Sequence, residues 1–219
     1  MGRPSEKRDK MFKPPTADSI GFQSRKLAAA YRKKRVNMLA EIQALQANLK
    51  YGPDTNKAED AMCSLGELLG LDSSRPDASI GTGPDNLWCG EGEVEAWGFD
   101  LKTGKEPESE YTKSEIGQAH DHMNWLRSEK QGKKIKVSIV GRELIVSDRA
   151  NPDPVLDVIE LSGLQEIAEN VEKLFQSVDA GDKSNLEDSF EGWLRHYGLT
   201  WPICVLALPS KRALDLKVK

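Results

Sequence analysis

One short segment constrains the fold more than any other. The run 94–99 is mostly apolar, and the chain becomes abruptly charged at Asp100 and Lys102. This pattern predicts a strand that is buried along most of its length. Side chains alternate between the faces of a strand, so Asp100 and Lys102 lie on one face and Leu101 on the other. A carboxylate and an ammonium at the end of a buried strand are costly unless they are paired or bound to a metal. The segment therefore predicts an Asp–Lys pair at a functional site.

A second carboxylate precedes this strand. Asp85 stands just before a predicted short strand at 86–89, and the turn 90–92 separates the two strands. If they form a hairpin, Asp85 arrives near Asp100. Two carboxylates within a few ångströms repel each other, and a hard divalent cation such as Mg²⁺ relieves that repulsion. Lys102 beside them can hold or polarise a water molecule.

The surrounding elements predict a mixed α/β body. A helix is expected from about 57 to 69, and the capping box Thr112-Lys113-Ser114-Glu115 opens another that continues to about 129. A strand is expected at 135–140, residues 143–147 are expected to pair with it across the turn at Gly141, and a last buried strand is expected at 202–208. The body is therefore predicted to be a central sheet with helices on both sides.

In chain order, Pro84-Asp85 and Asp100-Leu101-Lys102 resemble the signature of the PD-(D/E)xK nuclease superfamily. A helix with a glutamate before the strands and a helix with a glutamine after them agree with that pattern. Some branches of the superfamily have Gln-x-x-x-Tyr on the later helix, where this chain has Gln118 and His122. The resemblance covers about residues 56–178. It implies an α/β fold with a restriction-endonuclease-like core, a central mixed sheet flanked by helices in the order α-β-β-β-α-β, with an N-terminal helical extension.

The resemblance implies a metal site. By position, Asp85 and Asp100 would ligate Mg²⁺ together with the backbone carbonyl of Leu101, and Glu59 would complete or tune the site. Mn²⁺ is expected to substitute for Mg²⁺.

The resemblance also implies the reaction, which is hydrolysis of phosphodiester bonds in DNA without a covalent enzyme intermediate. Lys102 would position the attacking water and stabilise charge on the phosphate. Gln118 would orient the nucleophile or the scissile strand. Endonucleolytic cleavage is favoured over exonucleolytic cleavage, in restriction, defence or repair, and RNA stays open as a substrate.

Simpler interpretations accompany several of these residues. Glu59 follows Asn56 by three positions, so it can be the return partner of a capping box. Gln118 can be a solvated helix residue. His120 and His122 stand two apart, and such positions do not share a helix face, so a joint zinc site is not expected. His122 can line the site instead.

The N-terminal region differs in charge from the rest of the chain. Residues 1–50 contain 12 Lys or Arg against 4 Asp or Glu, which leaves 19 against 31 in the remainder. Residues 1–22 are predicted to be a flexible basic tail, 23–50 an amphipathic helix, and 51–219 the nuclease-like α/β domain. The helix is expected to pack on the body or on a partner helix, which is compatible with a homodimer or a partner protein. Its basic residues are compatible with binding phosphates.

Composition excludes several classes. No apolar run approaches the length of a membrane span, and residues 1–13 lack the hydrophobic region of a signal peptide. The three cysteines have no metal-type spacing, which indicates thiols in a reducing cytoplasm. Two alternatives to a nuclease stay open. One is a non-catalytic nucleic-acid-binding or assembly module on the same fold. The other is a small-molecule-binding protein, although Gly81-Thr82-Gly83 lacks the lysine and spacing of a phosphate loop.

Overall fold

A computed structural model of the protein describes residues 17–91 and 95–217. Its helices are α1 (Ala17–Asn48), α2 (Thr55–Leu68), α3 (Pro76–Ile80), α4 (Lys113–Glu129), α5 (Leu161–Ala180), α6 (Leu186–His196) and α7 (Ile203–Leu206), and a 3₁₀ helix lies at Ala213–Leu216. Its strands are β1 (Asp72–Ser74), β2 (Asn86–Cys89), β3 (Glu95–Leu101), β4 (Glu110–Tyr111), β5 (Lys134–Val140), β6 (Ile145–Val146), β7 (Asp157–Ile159) and β8 (Ser210–Arg212). The protein is therefore α/β, as the sequence predicts.

A mixed six-stranded sheet organises these elements in the order β1-β2-β3-β5-β7-β8. The strands β1, β2 and β3 form an antiparallel meander, β3, β5 and β7 run parallel, and β8 returns antiparallel to β7. Because α4 connects β3 to its parallel neighbour β5, the helix must cross over one face of the sheet. That crossover positions α4 above the end of β3.

The sheet separates two apolar cores. On one face, Trp97, Phe99 and Leu101 of β3 pack among residues from α1, α2, α5 and α6. On the other face, Ala96 belongs to a second core with α4 residues such as Leu126. The alternation predicted for β3 is therefore observed, with Leu101 on the side away from α4. The molecule has three layers, with the sheet in the middle.

The helix predicted at 23–50 is α1, and it packs on the body of the chain. Its first residue, Ala17, lies inside the segment 1–22 expected to be a tail, so that boundary is wrong; residues 1–16 lie outside the described residues. Six apolar residues form one stripe along α1, and Arg35 stands within that stripe. Its guanidinium donates to Asp179 of α5, with 2.9 Å between Nε and Oδ1. Val36 and Leu39 stay exposed. The stripe itself is buried within the chain and consists of Ala28, Tyr31, Met38, Ile42, Leu45 and Leu49.

Two expected strand assignments are wrong. Residues 143–147 do not pair with β5, because β3 and β7 already occupy both of its edges; β6 pairs instead with β4. Residues 202–208 contain helix α7, in which the amide of Leu206 donates to the carbonyl of Pro202 at 3.1 Å. A short apolar run looks alike whether it is a buried strand or a buried helix turn, so periodicity does not separate the two.

Other elements had no clear sequence signal. The strand β1 and helix α3 lie in the turn-rich stretch after α2, and β7 and β8 are strands of three residues each. The cysteines Cys63, Cys89 and Cys204 are free thiols. Within residues 17–91 and 95–217, no helix has the length and apolar character needed to cross a membrane.

Candidate functional site

The β2–β3 hairpin brings Asp85 and Asp100 together. The last pair in its register is Asn86 with Phe99, so one step further Asp85 lies opposite Asp100. The Oδ2 atom of Asp85 accepts a hydrogen bond from the amide of Leu101 at 2.6 Å. Both carboxylates are buried, Asp100 completely. The proximity that the sequence predicted for a hairpin is therefore observed, although part of the turn (92–94) lies outside the described residues.

Lys102 is held between β3 and α4. Its Nζ donates to Oδ1 of Asp100 at 2.6 Å and to Oε1 of Gln118 at 2.9 Å. Its backbone amide donates to the carbonyl of Val140 at 2.8 Å, which extends the pairing of β3 with β5 by one residue. The Lys102 side chain is 14% exposed, and these contacts hold its ammonium in place. Asp100, Lys102 and Gln118 therefore form one connected group.

Burial sets the electrostatics of this group. Burial, reinforced by the negative charge of Asp100, raises the pKa of Asp85 to about 6. Burial also raises the pKa of Asp100, although the nearby Lys102 opposes that shift. Burial lowers the pKa of Lys102, but the charges of Asp100 and Asp85 outweigh it and raise the pKa above its usual value. The arrangement holds two acids that resist ionisation next to one firmly charged lysine.

The donor atoms fit a hard divalent cation with few protein ligands. Oδ2 of Asp100 is buried and accepts no hydrogen bond from an N–H or hydroxyl group among the described residues, although a buried carboxylate oxygen is normally satisfied. Asp85 lies opposite it, and Mg²⁺ prefers carboxylate and carbonyl oxygens while keeping several water ligands. Among the described residues, no group of three or more His, Cys, Asp or Glu side chains is arranged to hold a metal. The available protein ligands are therefore the two aspartates and backbone oxygens such as that of Leu101.

Glu59 lies near the aspartates but is occupied by another partner. Its carboxylate forms a close ion pair with Arg75, which also binds Asp60. Burial and the negative charge of Asp85 raise the pKa of Glu59, and Arg75 opposes the shift. The capping alternative is not observed, because Asp54 rather than Asn56 caps α2. The role of Glu59 as a metal ligand stays a prediction.

No sequence pattern indicates a role for Arg75, which lies in the turn-rich stretch after α2. Its side chain is 16% exposed, and its Nε is buried without a hydrogen-bond partner among the described residues. Only the return of the chain along β1 brings Arg75 back to Glu59. An arginine immediately before Pro76 is too common a pattern to have indicated this pair.

The two histidines of α4 have different surroundings. His120 accepts a hydrogen bond at Nε2 from the amide of Asp153 at 3.0 Å. His122 is buried one turn beyond Gln118, on the face of α4 that covers β3, and within the described part of the chain its Nδ1 has no hydrogen-bond partner. Burial lowers the pKa of His122, which favours the neutral imidazole. The expectation that the two histidines do not share a metal agrees with these separate environments.

The basic residues of α1 lie apart from this group. A groove of about 740 Å³ runs between α1 and α2, and Lys33 and Lys34 line it. Asp85, Asp100 and Lys102 are not among its lining residues. Any phosphate contacts that Lys33 and Lys34 make in this groove would therefore lie outside the group formed by Asp85, Asp100 and Lys102.

Comparisons with known proteins give no relative for this chain: no protein-family model, no curated protein and no solved structure matches it.

Proposed function

We propose that the protein is a Mg²⁺-dependent nuclease with a restriction-endonuclease-like core, and that it hydrolyses phosphodiester bonds in DNA. The observation that carries this proposal is the joint position of Asp85, Asp100 and Lys102, together with a buried Oδ2 of Asp100 that accepts no hydrogen bond from an N–H or hydroxyl group of the described residues. The chain order is α2, β1, α3, β2, β3, β4, α4, β5. Apart from the five-residue helix α3 and the two-residue strand β4, which belongs to a separate sheet, it agrees with the α-β-β-β-α-β order that the resemblance implies, and this supports the proposal.

In this proposal each residue has a stated task. Asp85 and Asp100 hold the cation with the Leu101 carbonyl, and Mn²⁺ can replace Mg²⁺. The cation supplies Lewis-acid polarisation of the phosphodiester and neutralises its charge. Lys102 holds the attacking water, because its ammonium is anchored on Asp100, one of the two aspartates assigned to the cation. Gln118 keeps the ammonium in place from the helix side.

Hydrolysis then needs no covalent enzyme intermediate. Water attacks phosphorus as the bond to the leaving oxygen breaks; the attacking water gives up one proton to solvent and the leaving oxygen takes one up from solvent. Lys102 stabilises the negative charge that develops on the phosphate. Glu59 can join the site only if it leaves Arg75, so we assign it the task of tuning the charge around Asp85. The exposed Arg32 and Lys33 of α1 add sequence-independent attraction for the nucleic-acid backbone.

The test is cleavage of supercoiled and linear plasmid DNA with Mg²⁺, Mn²⁺ or EDTA. Asp100→Asn and Lys102→Met remove the charges while keeping similar shapes. Both variants should lose at least about 100-fold in rate, since each removes a group that stabilises the transition state. Lys183→Met and Glu187→Gln remove comparable charges from partly exposed positions around the start of α6 and serve as matched controls.

Several outcomes would decide against the proposal. Cleavage that survives EDTA would exclude a metal-dependent mechanism, and equal loss in the surface controls would mean that the effect is not specific to the site. DNA binding without cleavage would favour a non-catalytic binding module. Nicked plasmid as the first product would favour endonucleolytic cleavage.

A further inference from the structure

His122 combines burial with an unsatisfied side chain. It is 7% exposed, its Nδ1 is buried without a hydrogen-bond partner, and no hydrogen bond joins its Nε2 to any residue in 17–91 or 95–217. A buried polar group without a partner lowers the stability of the fold. A leucine or phenylalanine would fill the same place without that cost. The imidazole is therefore better explained by a partner that comes from outside the chain.

The packing of α4 on β3 locates this imidazole. One turn before it, Gln118 contacts Lys102. One turn after it, Leu126 covers Gly98, where an added Cβ would lie 2.9 Å from Leu126 Cδ1. The helix and the strand thus run in opposite directions, and His122 lies over the part of β3 between Gly98 and Lys102. In that part of β3, the residue whose side chain lies on the face toward α4 is Asp100.

The surroundings restrict what can reach His122. The charges of Asp85, Lys102, Asp77 and Asp121 all act on it, so the imidazole lies close to two charged groups of the site. A ligand that contacts this imidazole as well as Lys102 would bind at the site itself. A neutral imidazole offers one N–H donor and one acceptor nitrogen.

We propose that His122 is a substrate-contact residue, whose imidazole N–H donates a hydrogen bond to a non-bridging oxygen of the phosphate next to Lys102. This inference rests on the proposed function. A phosphate oxygen is the appropriate partner because the backbone is the part of a nucleic acid that projects outward, whereas base edges stay within the stack. A neutral donor binds that oxygen without forming an ion pair with Asp85 or Asp100, so both carboxylates stay available for the cation.

Variants at His122 and His120 test the contact. His122→Phe keeps a flat ring but removes the donor, and His122→Gln keeps an N–H group. His120→Gln changes the same residue type on the same helix and is the matched control. We expect His122→Phe to lower kcat/KM for DNA cleavage about 10- to 100-fold, the equivalent of one hydrogen bond to a charged group. His122→Gln should recover part of this loss, and His120→Gln should cleave like the wild type.

Mg²⁺ affinity, measured by calorimetry, separates this role from a metal-ligand role. It should stay the same in His122→Phe, and a parallel loss of Mg²⁺ affinity would overturn the inference. Cleavage by His122→Phe at the wild-type rate would overturn it as well. If the wild type itself does not cleave, it is the proposed function that fails.

A measurement on the wild type is independent of both cleavage and the folding of variants. Thymidylyl-thymidine, a dinucleoside phosphate, is added while the imidazole ¹⁵N resonances are recorded without divalent metal. The His122 resonances should shift and those of His120 should not. An unmoved His122 signal at saturating ligand overturns the inference, whether or not the protein cuts DNA.

Discussion

Asp85→Asn should make the metal-free protein more stable at neutral pH and remove its response to Mg²⁺. Burial and the charge of Asp100 raise the pKa of Asp85 from 3.8 to about 6. One pKa unit corresponds to about 1.36 kcal/mol, so keeping this carboxylate ionised in the folded state costs about 3 kcal/mol. Asparagine carries no charge and avoids that cost.

A lost hydrogen bond offsets part of this gain. In the wild type the Asp85 carboxylate accepts from the amide of Leu101 at 2.6 Å, and an amide oxygen accepts more weakly. Taking about 1–2 kcal/mol for the difference, the variant should be more stable by about 1–2 kcal/mol. For a chain of this size the melting temperature should rise by roughly 2–8 °C.

The pH dependence follows from the sign of the shift. The folded protein binds a proton at Asp85 more tightly than the unfolded chain does, because the folded-state pKa is raised. Stability from this group is therefore present at low pH, is lost as the pH rises from about 4 to about 6, and stays low above that window. Asp85→Asn should show a flatter profile across this window.

Thermal unfolding followed by circular dichroism, from about pH 4.5 to about pH 8, measures both effects. Each protein is compared in EDTA and in excess Mg²⁺, with Asp121→Asn, an exposed aspartate of α4, as the matched control. The wild type and the control should gain stability with Mg²⁺, and Asp85→Asn should not. A melting temperature of Asp85→Asn below that of the wild type in EDTA at about pH 7.5 would contradict this prediction. Equal stabilisation of Asp85→Asn and the wild type by Mg²⁺ would contradict it as well.

Two further predictions concern the residues that surround the site. Gly98→Ala places a methyl group 2.9 Å from Leu126 Cδ1, so it should push α4 away from β3. The free energy of unfolding in urea should fall by about 1–3 kcal/mol, and DNA cleavage should slow more than that loss of stability explains. Full activity of this variant would contradict the prediction. Arg75→Ala leaves the half-buried carboxylate of Glu59 without its partner and should cost about 2 kcal/mol in urea unfolding, whereas adding Glu59→Gln should restore most of the loss. Additive losses in this double variant would mean that the ion pair is not the cause.

Local pattern was enough to predict the strand carrying Asp100 and Lys102 and the helix carrying Gln118. Alternation along β3 follows from strand geometry alone, so Asp100 and Lys102 had to share a face once the strand formed. The capping box at Thr112 is also local, because its two hydrogen bonds join residues three apart, and both are present. The hairpin then needed only a short turn to bring Asp85 to Asp100.

Contacts between distant segments were not predictable in this way. The pairing of Glu59 with Arg75 depends on the return of the chain along β1, and nothing in either segment indicates it. Residues 143–147 have a strand-like pattern, but β7, which comes later in the chain, takes the edge of β5 that they would need. The position of His122, near enough to Asp85 and Lys102 to be affected by both charges, depends on how α4 packs across the sheet.

Local sequence was therefore sufficient to predict the aspartates and the lysine of the candidate site and the strand face that carries Asp100 and Lys102, because the periodicity of a strand is a property of the local backbone. Their partners depend on tertiary packing: Arg75 pairs with Glu59, Gln118 contacts Lys102, and the buried Nδ1 of His122 has no hydrogen-bond partner among the described residues. Those outcomes depend on which surfaces are buried together, and burial is decided by packing of the whole chain rather than by any short segment.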